Sequence, residues 1–139
     1  MPISKILVPT DGSAFSRRAA KMALEIAKAS GASVTALHVI EVKPPRLLEA
    51  TSIEKVKAKQ AEACFKDFEE EARSAGVEFE TKMLVSRNVP RTILDEADAQ
   101  NSDIIVMGSH GLTGLKKLLL GSITEAILKK SAAPVLVVK

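Results

Sequence analysis

The 139-residue sequence has no tryptophan, no tyrosine, four phenylalanines and one cysteine, Cys64. Without indole or phenol rings it lacks the stacking platforms that usually read single-stranded nucleic acid, and no nucleic-acid partner is expected. The same lack argues against a flavin. One cysteine cannot form an internal disulfide framework. The longest apolar runs, Ile104-Ile105-Val106-Met107 and Val135-Leu136-Val137-Val138, fall far below the roughly 18 residues that span a bilayer, so no membrane segment is expected. Met1-Pro2-Ile3-Ser4-Lys5 leads into a short strand pattern without signal-peptide features, which sets the expectation of a cytoplasmic protein. At this length the chain reads as one domain over 1–139.

What is present is an ordinary globular balance, 46% hydrophobic and 27% charged. The net charge of +3 is unevenly placed. Residues 108–139 hold five basic groups (Lys116, Lys117, Lys129, Lys130, Lys139) against Glu125, and the first 107 residues hold 15 basic and 16 acidic groups. The excess positive charge therefore lies in the last quarter of the chain, which suits an anionic ligand there; a merely solvated surface is the other reading.

Strand and helix patterns alternate. Ile3–Val8 is an apolar run ending in Pro9-Thr10-Asp11-Gly12-Ser13, a cluster of turn and cap residues. From Ala14 to Ser30, Phe15, Ala19, Met22 and Ile26 recur at helical spacing, and Gly31 ends the helix. Ser33–Ile40 reads as a strand. Residues 41–52, with Pro44-Pro45, read as a loop. Ile53–Ala75 predicts a long amphipathic helix, Val77–Val85 a strand with one solvent face, and Asn88-Val89-Pro90 a helix start running to about Gln100. Asp103–Met107 reads as a buried strand, Ser122–Lys130 as a short helix and Val135–Val138 as the last strand. Five strands joined by four crossovers predict an α/β domain, a five-stranded parallel sheet with helices on both faces. Ligands of such sheets bind beyond the carboxyl ends of the strands.

The informative stretch is Gly108-Ser109-His110-Gly111-Leu112-Thr113-Gly114, followed by Leu115 to Leu120 and then Gly121-Ser122-Ile123-Thr124-Glu125. Gly108 and Gly111 follow a buried strand, where a backbone without Cβ can approach a ligand closely. Gly121 precedes a helix whose first amides carry the positive dipole end. Ser122 and Glu125 have the spacing of a capping box, and Ser122 and Thr124 offer hydroxyls to phosphate oxygens. The parts together predict an anion cradle; a plain flexible loop is the other reading. It is neither a Walker P-loop nor a G-x-G-x-x-G fingerprint.

Gly108-x2-Gly111-x9-Gly121-Ser122 resembles the G-2x-G-9x-G-[ST] signature of the ATP-binding branch of the universal stress proteins. The resemblance extends over the chain, through Ile6-Leu7-Val8-Pro9-Thr10-Asp11-Gly12-Ser13, His38-Val39 and Ala133-Pro134-Val135-Leu136-Val137-Val138. It implies that Pro9, Thr10 and Asp11 line an adenosine site, with Asp11 on the ribose and the Val39 backbone on the adenine. Met107 and Gly108 would lie beside the nucleoside. Gly111, Gly121, Ser122, Ile123 and Thr124 would meet the phosphates of ATP, whose Mg or Mn ion would be held mainly by phosphate oxygens. It also implies a homodimer joined through Val135–Val138.

Asp11 could equally cap the helix that follows it. His110 has no Ser-His-Asp or metal-ligand set around it, His38 reads as a packed or hydrogen-bonded core residue, and Cys64 reads as core. No catalytic residue is assigned. A nucleotide-dependent switch in stress response, with at most slow ATP hydrolysis, is the leading function. The alternatives are a nucleotide-free dimeric interaction module and an adenylyl-transfer enzyme, the latter disfavoured by only two isolated histidines.

Overall fold

The computed structural model describes residues 2–43, 51–110 and 120–139. Its elements alternate as expected: β1 (Lys5–Pro9), α1 (Ala14–Ser30), β2 (Ser33–Glu41), α2 (Ser52–Ala75), β3 (Phe79–Ser86), α3 (Val89–Ala99), β4 (Ile104–Gly108), α4 (Ser122–Lys130) and β5 (Val135–Val138). All strand pairings are parallel, in the order β3-β2-β1-β4-β5. No described helix is long and apolar enough to cross a membrane.

Period-two alternation divides the core into two layers. On one face Ile6, Val8, Val34 and Val106 pack against Ala19, Ala23 and Leu24 of α1 and Cys64, Phe68 and Ala72 of α2. On the other, Leu7, Leu37, Val39, Ile105 and Met107 meet Val89, Ile93 and Ala97 of α3 and Ile127 of α4. Each fully buried aliphatic side chain contributes on the order of 1.5–3 kcal/mol. The apolar stripe of α1 is rotated from the expected one: Met22 is 42% exposed, while Ala20, Ala23, Leu24 and Ala27 are buried. Four alanines (Ala19, Ala20, Ala23 and Ala27) and Leu24 form the stripe that faces the sheet.

The chain leaves β1 outward through β2 and β3, then crosses back to place β4 on the other side of β1. The topological switch point therefore lies between β1 and β4. Pairing there covers only Ile6 with Ile104 and Leu7 with Ile105, although β4 continues to Gly108. Pro9 explains the early end. Thr10 donates its amide toward β2, so by alternation position 9 faces β4, and proline has no N–H to offer it. The two strands part above Leu7.

At the opposite end of the sheet, Asp103 Oδ2 accepts from the Ser4 amide (2.8 Å), the Ser4 hydroxyl (2.9 Å) and the Lys5 amide (3.0 Å). Those donors, the Ser4 amide first, hold the Asp103 carboxyl below the ordinary carboxylate range. A depressed folded-state pKa contributes stability above the unfolded value and loses it as pH falls through the folded one. Asp103→Ala should therefore lower Tm at pH 7, and the gap from the unmodified protein should close as the pH drops below about 4. A gap constant down to pH 2 would show that the carboxylate charge plays no part.

Candidate functional site

Where β1 and β4 part, a cleft opens at the carboxyl ends of β1, β2 and β4. The space within it amounts to about 490 Å³ with open solvent included. Its apolar wall is the upper edge of the second core layer: Leu37, Val39, Val89, Ile93 and Met107. The rim is Thr10, Asp11 and Ser16 on one side and Gly108, His110, Ile123 and Thr124 on the other.

The turn from β1 into α1 is closely tied. The Thr10 amide donates to the Leu37 carbonyl (2.8 Å), and the Thr10 hydroxyl accepts from the Gly12 amide (3.1 Å). Asp11 Oδ1 accepts from the Ser13 amide (3.0 Å) and the Ser16 hydroxyl (3.2 Å). The cap of α1 is Ser13, whose hydroxyl accepts from the Ser16 amide. Asp11 thus forms an Asx turn before the cap and is not itself the cap residue. Cys64 lies behind the turn, its sulfur 3.8 Å from the Thr10 hydroxyl. Burial pushes its thiol pKa up, so it is a poor nucleophile.

On the other rim, α4 begins one residue earlier than a Ser122–Glu125 capping box requires. Gly121 holds the extended cap dihedrals (φ −63°, ψ 154°) and Glu125 donates its amide to the Gly121 carbonyl (2.9 Å). The Glu125 carboxylate pairs instead with Lys129 (3.0 Å). Among the described residues no side chain caps α4, so within that set its first-turn amides keep their outward donors. The Thr124 hydroxyl, expected to be open to a phosphate, is buried and donates to the Gly108 carbonyl (2.9 Å). It ties the helix start to the end of β4.

Gly108 also has a second reason to be glycine. A Cβ there would come within 2.8 Å of the backbone and Cβ of Phe15 in α1. The close approach is helix to strand, and not only backbone to ligand.

Of the residues expected from the sequence, Pro9, Thr10, Asp11, Val39, Met107, Gly108, Ile123 and Thr124 line the cleft. Gly121 and Ser122 stand at the start of α4 beside it without forming its wall, and Gly111 lies outside the described residues. Sequence reasoning did not include Ser16, Leu37, His38, Val89, Ile93 or His110. Leu37 could have been found as the residue two before Val39 on the same strand face. Val89 and Ile93 share one face of α3 at i, i+4, a spacing that signals core as readily as a site. His110 packs against Phe15 with the rings tilted (centroids 5.2 Å apart, interplanar angle 51°), and its Nδ1 meets the Ser109 hydroxyl at 3.0 Å. Among the described residues no group of three His, Cys, Asp or Glu could hold a metal ion.

A family model described as the universal stress protein family matches residues 2–139. The chain belongs to that family. Among its relatives is universal stress protein MJ0531 of Methanocaldococcus jannaschii, 40% identical over 140 residues, covering 97% of this chain and 81% of the relative. The solved structure of protein MJ0577 superposes with a TM-score of 0.81 at 33% identity, covering 100% of this chain and 97% of that one. A universal stress protein solved in complex with cAMP superposes with a TM-score of 0.72 at 26% identity, covering 99% and 98%. The five-stranded parallel sheet with helices on both faces is thus the fold of this universal stress protein and of its relatives.

Proposed function

We propose that this universal stress protein binds ATP in the cleft and acts as a nucleotide-dependent switch in stress response. The observation that carries the reading is the uncapped start of α4 beside Ile123 and Thr124, opposite the Asp11 turn, with an apolar slot between them. Open helix amides suit phosphates, the slot suits a base, and a carboxylate at the β1 end suits ribose hydroxyls. The G-2x-G-9x-G-[ST] spacing and a 26% identical relative in complex with cAMP support the same assignment. A Mg or Mn ion would accompany the triphosphate, held mainly by its oxygens. Hydrolysis is at most slow, since Glu125, the only acidic residue after Gly108, is ion-paired with Lys129.

The assembly in this reading is a cytoplasmic homodimer joined along β5. Both β5 and β3 are edges of the sheet. β3 carries Glu80 and Lys82, charges that discourage edge pairing, whereas β5 is apolar at all four positions and Leu128 of neighbouring α4 is 41% exposed. Sedimentation velocity should give the dimer mass at micromolar concentration, and a monomer there would overturn the β5 pairing.

Calorimetric titration with ATP, AMP and cAMP tests the site. ATP should bind with micromolar affinity and more tightly than AMP, because the added phosphates reach α4. Absence of any adenine-nucleotide binding, with none copurifying, would refute the reading and leave the nucleotide-free module.

A further inference from the structure

Residues Leu37 and Val39 of β2 turn their side chains to the α3 layer, so His38 between them faces the α2 layer with Ala36. It is 3% exposed. Its Nδ1 lies 2.7 Å from the Thr10 carbonyl oxygen. A carbonyl can only accept, so Nδ1 carries a proton and donates it. Among the described residues Nε2 is buried without a partner, a cost that a leucine at this position would avoid.

The ladder between β1 and β2 shows what this bond does. In a parallel pair, each second residue directs both its amide and its carbonyl to the same neighbour. Leu37 faces β1 and accepts from the Thr10 amide. Val39 faces the same way, and one more step of the ladder would join the Val39 amide to the Thr10 carbonyl and the Val39 carbonyl to the Gly12 amide. Neither bond forms. The Thr10 carbonyl is taken by His38 Nδ1, and the Gly12 amide by the Thr10 hydroxyl. Two side chains have replaced the next two backbone partners, and Val39, which lines the cleft, lacks the ladder bonds to β1 that one more step would give it.

We propose that His38 and the Thr10 hydroxyl end the β1–β2 ladder one step early to keep the Val39 amide and carbonyl available to a purine base. An adjacent backbone donor and acceptor match a base edge with a ring nitrogen acceptor next to an amino group. They mismatch one with a ring N–H next to a carbonyl. His38 is thus a positioning residue for 6-aminopurines, acting through the Thr10 peptide. The inference rests on the nucleotide reading of the cleft.

Amide hydrogen exchange on the full chain, with ATP titration in parallel, tests it. In the nucleotide-free protein the Val39 amide should exchange at least tenfold faster than the Leu37 amide. His38→Leu frees the Thr10 carbonyl to capture Val39; it should slow Val39 exchange at least tenfold and weaken ATP at least tenfold. His38→Asn, which keeps a donor at the Nδ1 position, should restore both values toward the unmodified protein. Thr10→Val frees the Gly12 amide for the Val39 carbonyl and serves if His38→Leu does not fold. Adenine nucleotides should outcompete guanine nucleotides in the unmodified protein, and His38→Leu should narrow that preference. Unchanged Val39 exchange together with unchanged ATP affinity in a folded His38→Leu or Thr10→Val protein would overturn the proposal. If the unmodified protein binds no nucleotide, the function of the cleft fails separately, while the exchange rates still decide whether His38 ends the ladder.

Discussion

Replacing Gly121 with aspartate is expected to abolish ATP binding while leaving the protein at least as stable as before. Gly121 is the cap residue of α4, and it contributes no side chain to the helix amides. An aspartate there would accept from those amides and place a negative charge at the positive end of the helix. Relative to glycine the cap gains a few tenths of a kcal/mol, and the dipole interaction adds about 0.3–1 kcal/mol. The same carboxylate would take the donors proposed for phosphate and repel it. Two unit charges about 4 Å apart interact with about 4 kcal/mol at an effective dielectric near 20. Even half of that weakens binding about thirtyfold. Calorimetry should show no ATP titration, thermal unfolding should show an equal or higher Tm, and sedimentation should still report a dimer. Gly121→Ala separates charge from bulk: it neither caps nor repels, and should retain most of the affinity. ATP binding undiminished in Gly121→Asp would remove the α4 start from the site.

This substitution works because α4 starts at a glycine, and that detail was only partly legible in the sequence. The alternation of elements was plain, since each apolar run is short and each helix is punctuated by a cap or a glycine. Gly31 and Gly76 close α1 and α2 in the left-handed conformation, with φ of 76° and 70°. Start positions were harder. Ser122 and Glu125 have capping-box spacing, but the spacing cannot say which of Gly121 and Ser122 takes the extended dihedrals. Lys129, one turn beyond Glu125, offers the carboxylate a competing partner. The strand order was illegible for a different reason. It depends on which edge of β1 receives β4, and periodicity along the chain carries no information across it.

The candidate site divides the same way. Residues that follow a strand end in sequence, such as Thr10, Asp11 and Gly108, could be named from the motif they sit in. Those that reach the cleft from the body of an element, such as Leu37, Val89 and Ile93, look like any core residue until the sheet is assembled. Gly108 and Thr124 show that a motif position can be filled for packing as well as for a ligand. One lies against Phe15, and the other spends its hydroxyl on the Gly108 carbonyl. Pro9 reads as a turn former in the sequence, yet its missing N–H also stops the β1–β4 ladder and opens the crevice.

Gly12→Ala is expected to be the most destabilising single methyl addition among the described glycines of the fold, and its size can be separated into two causes. Gly12 has φ of +79°, and a Cβ there would sit 2.5 Å from the Gln60 carbonyl oxygen and closer still to its carbon. Both atoms belong to the backbone of α2, so no rotamer relieves the contact, and either the turn or the helix must move. Left-handed strain costs an alanine about 1–2 kcal/mol, and forcing a group into a packed interior adds about 1–3 kcal/mol. The sum is a large fraction of the roughly 5–15 kcal/mol that holds a domain folded. Gly31→Ala is the internal control. Its φ of +76° is nearly the same, and nothing lies within 4 Å of the added Cβ, so it carries the backbone strain alone. Urea unfolding should place Gly12→Ala below Gly31→Ala by the packing cost. ATP affinity should fall only in Gly12→Ala, because the Thr10–Asp11 turn cannot shift away from Gln60 and keep its place at the cleft. Equal unfolding midpoints for the two variants would mean that α2 does not press on the turn, and that the cleft is less rigidly backed than its hydrogen bonds imply.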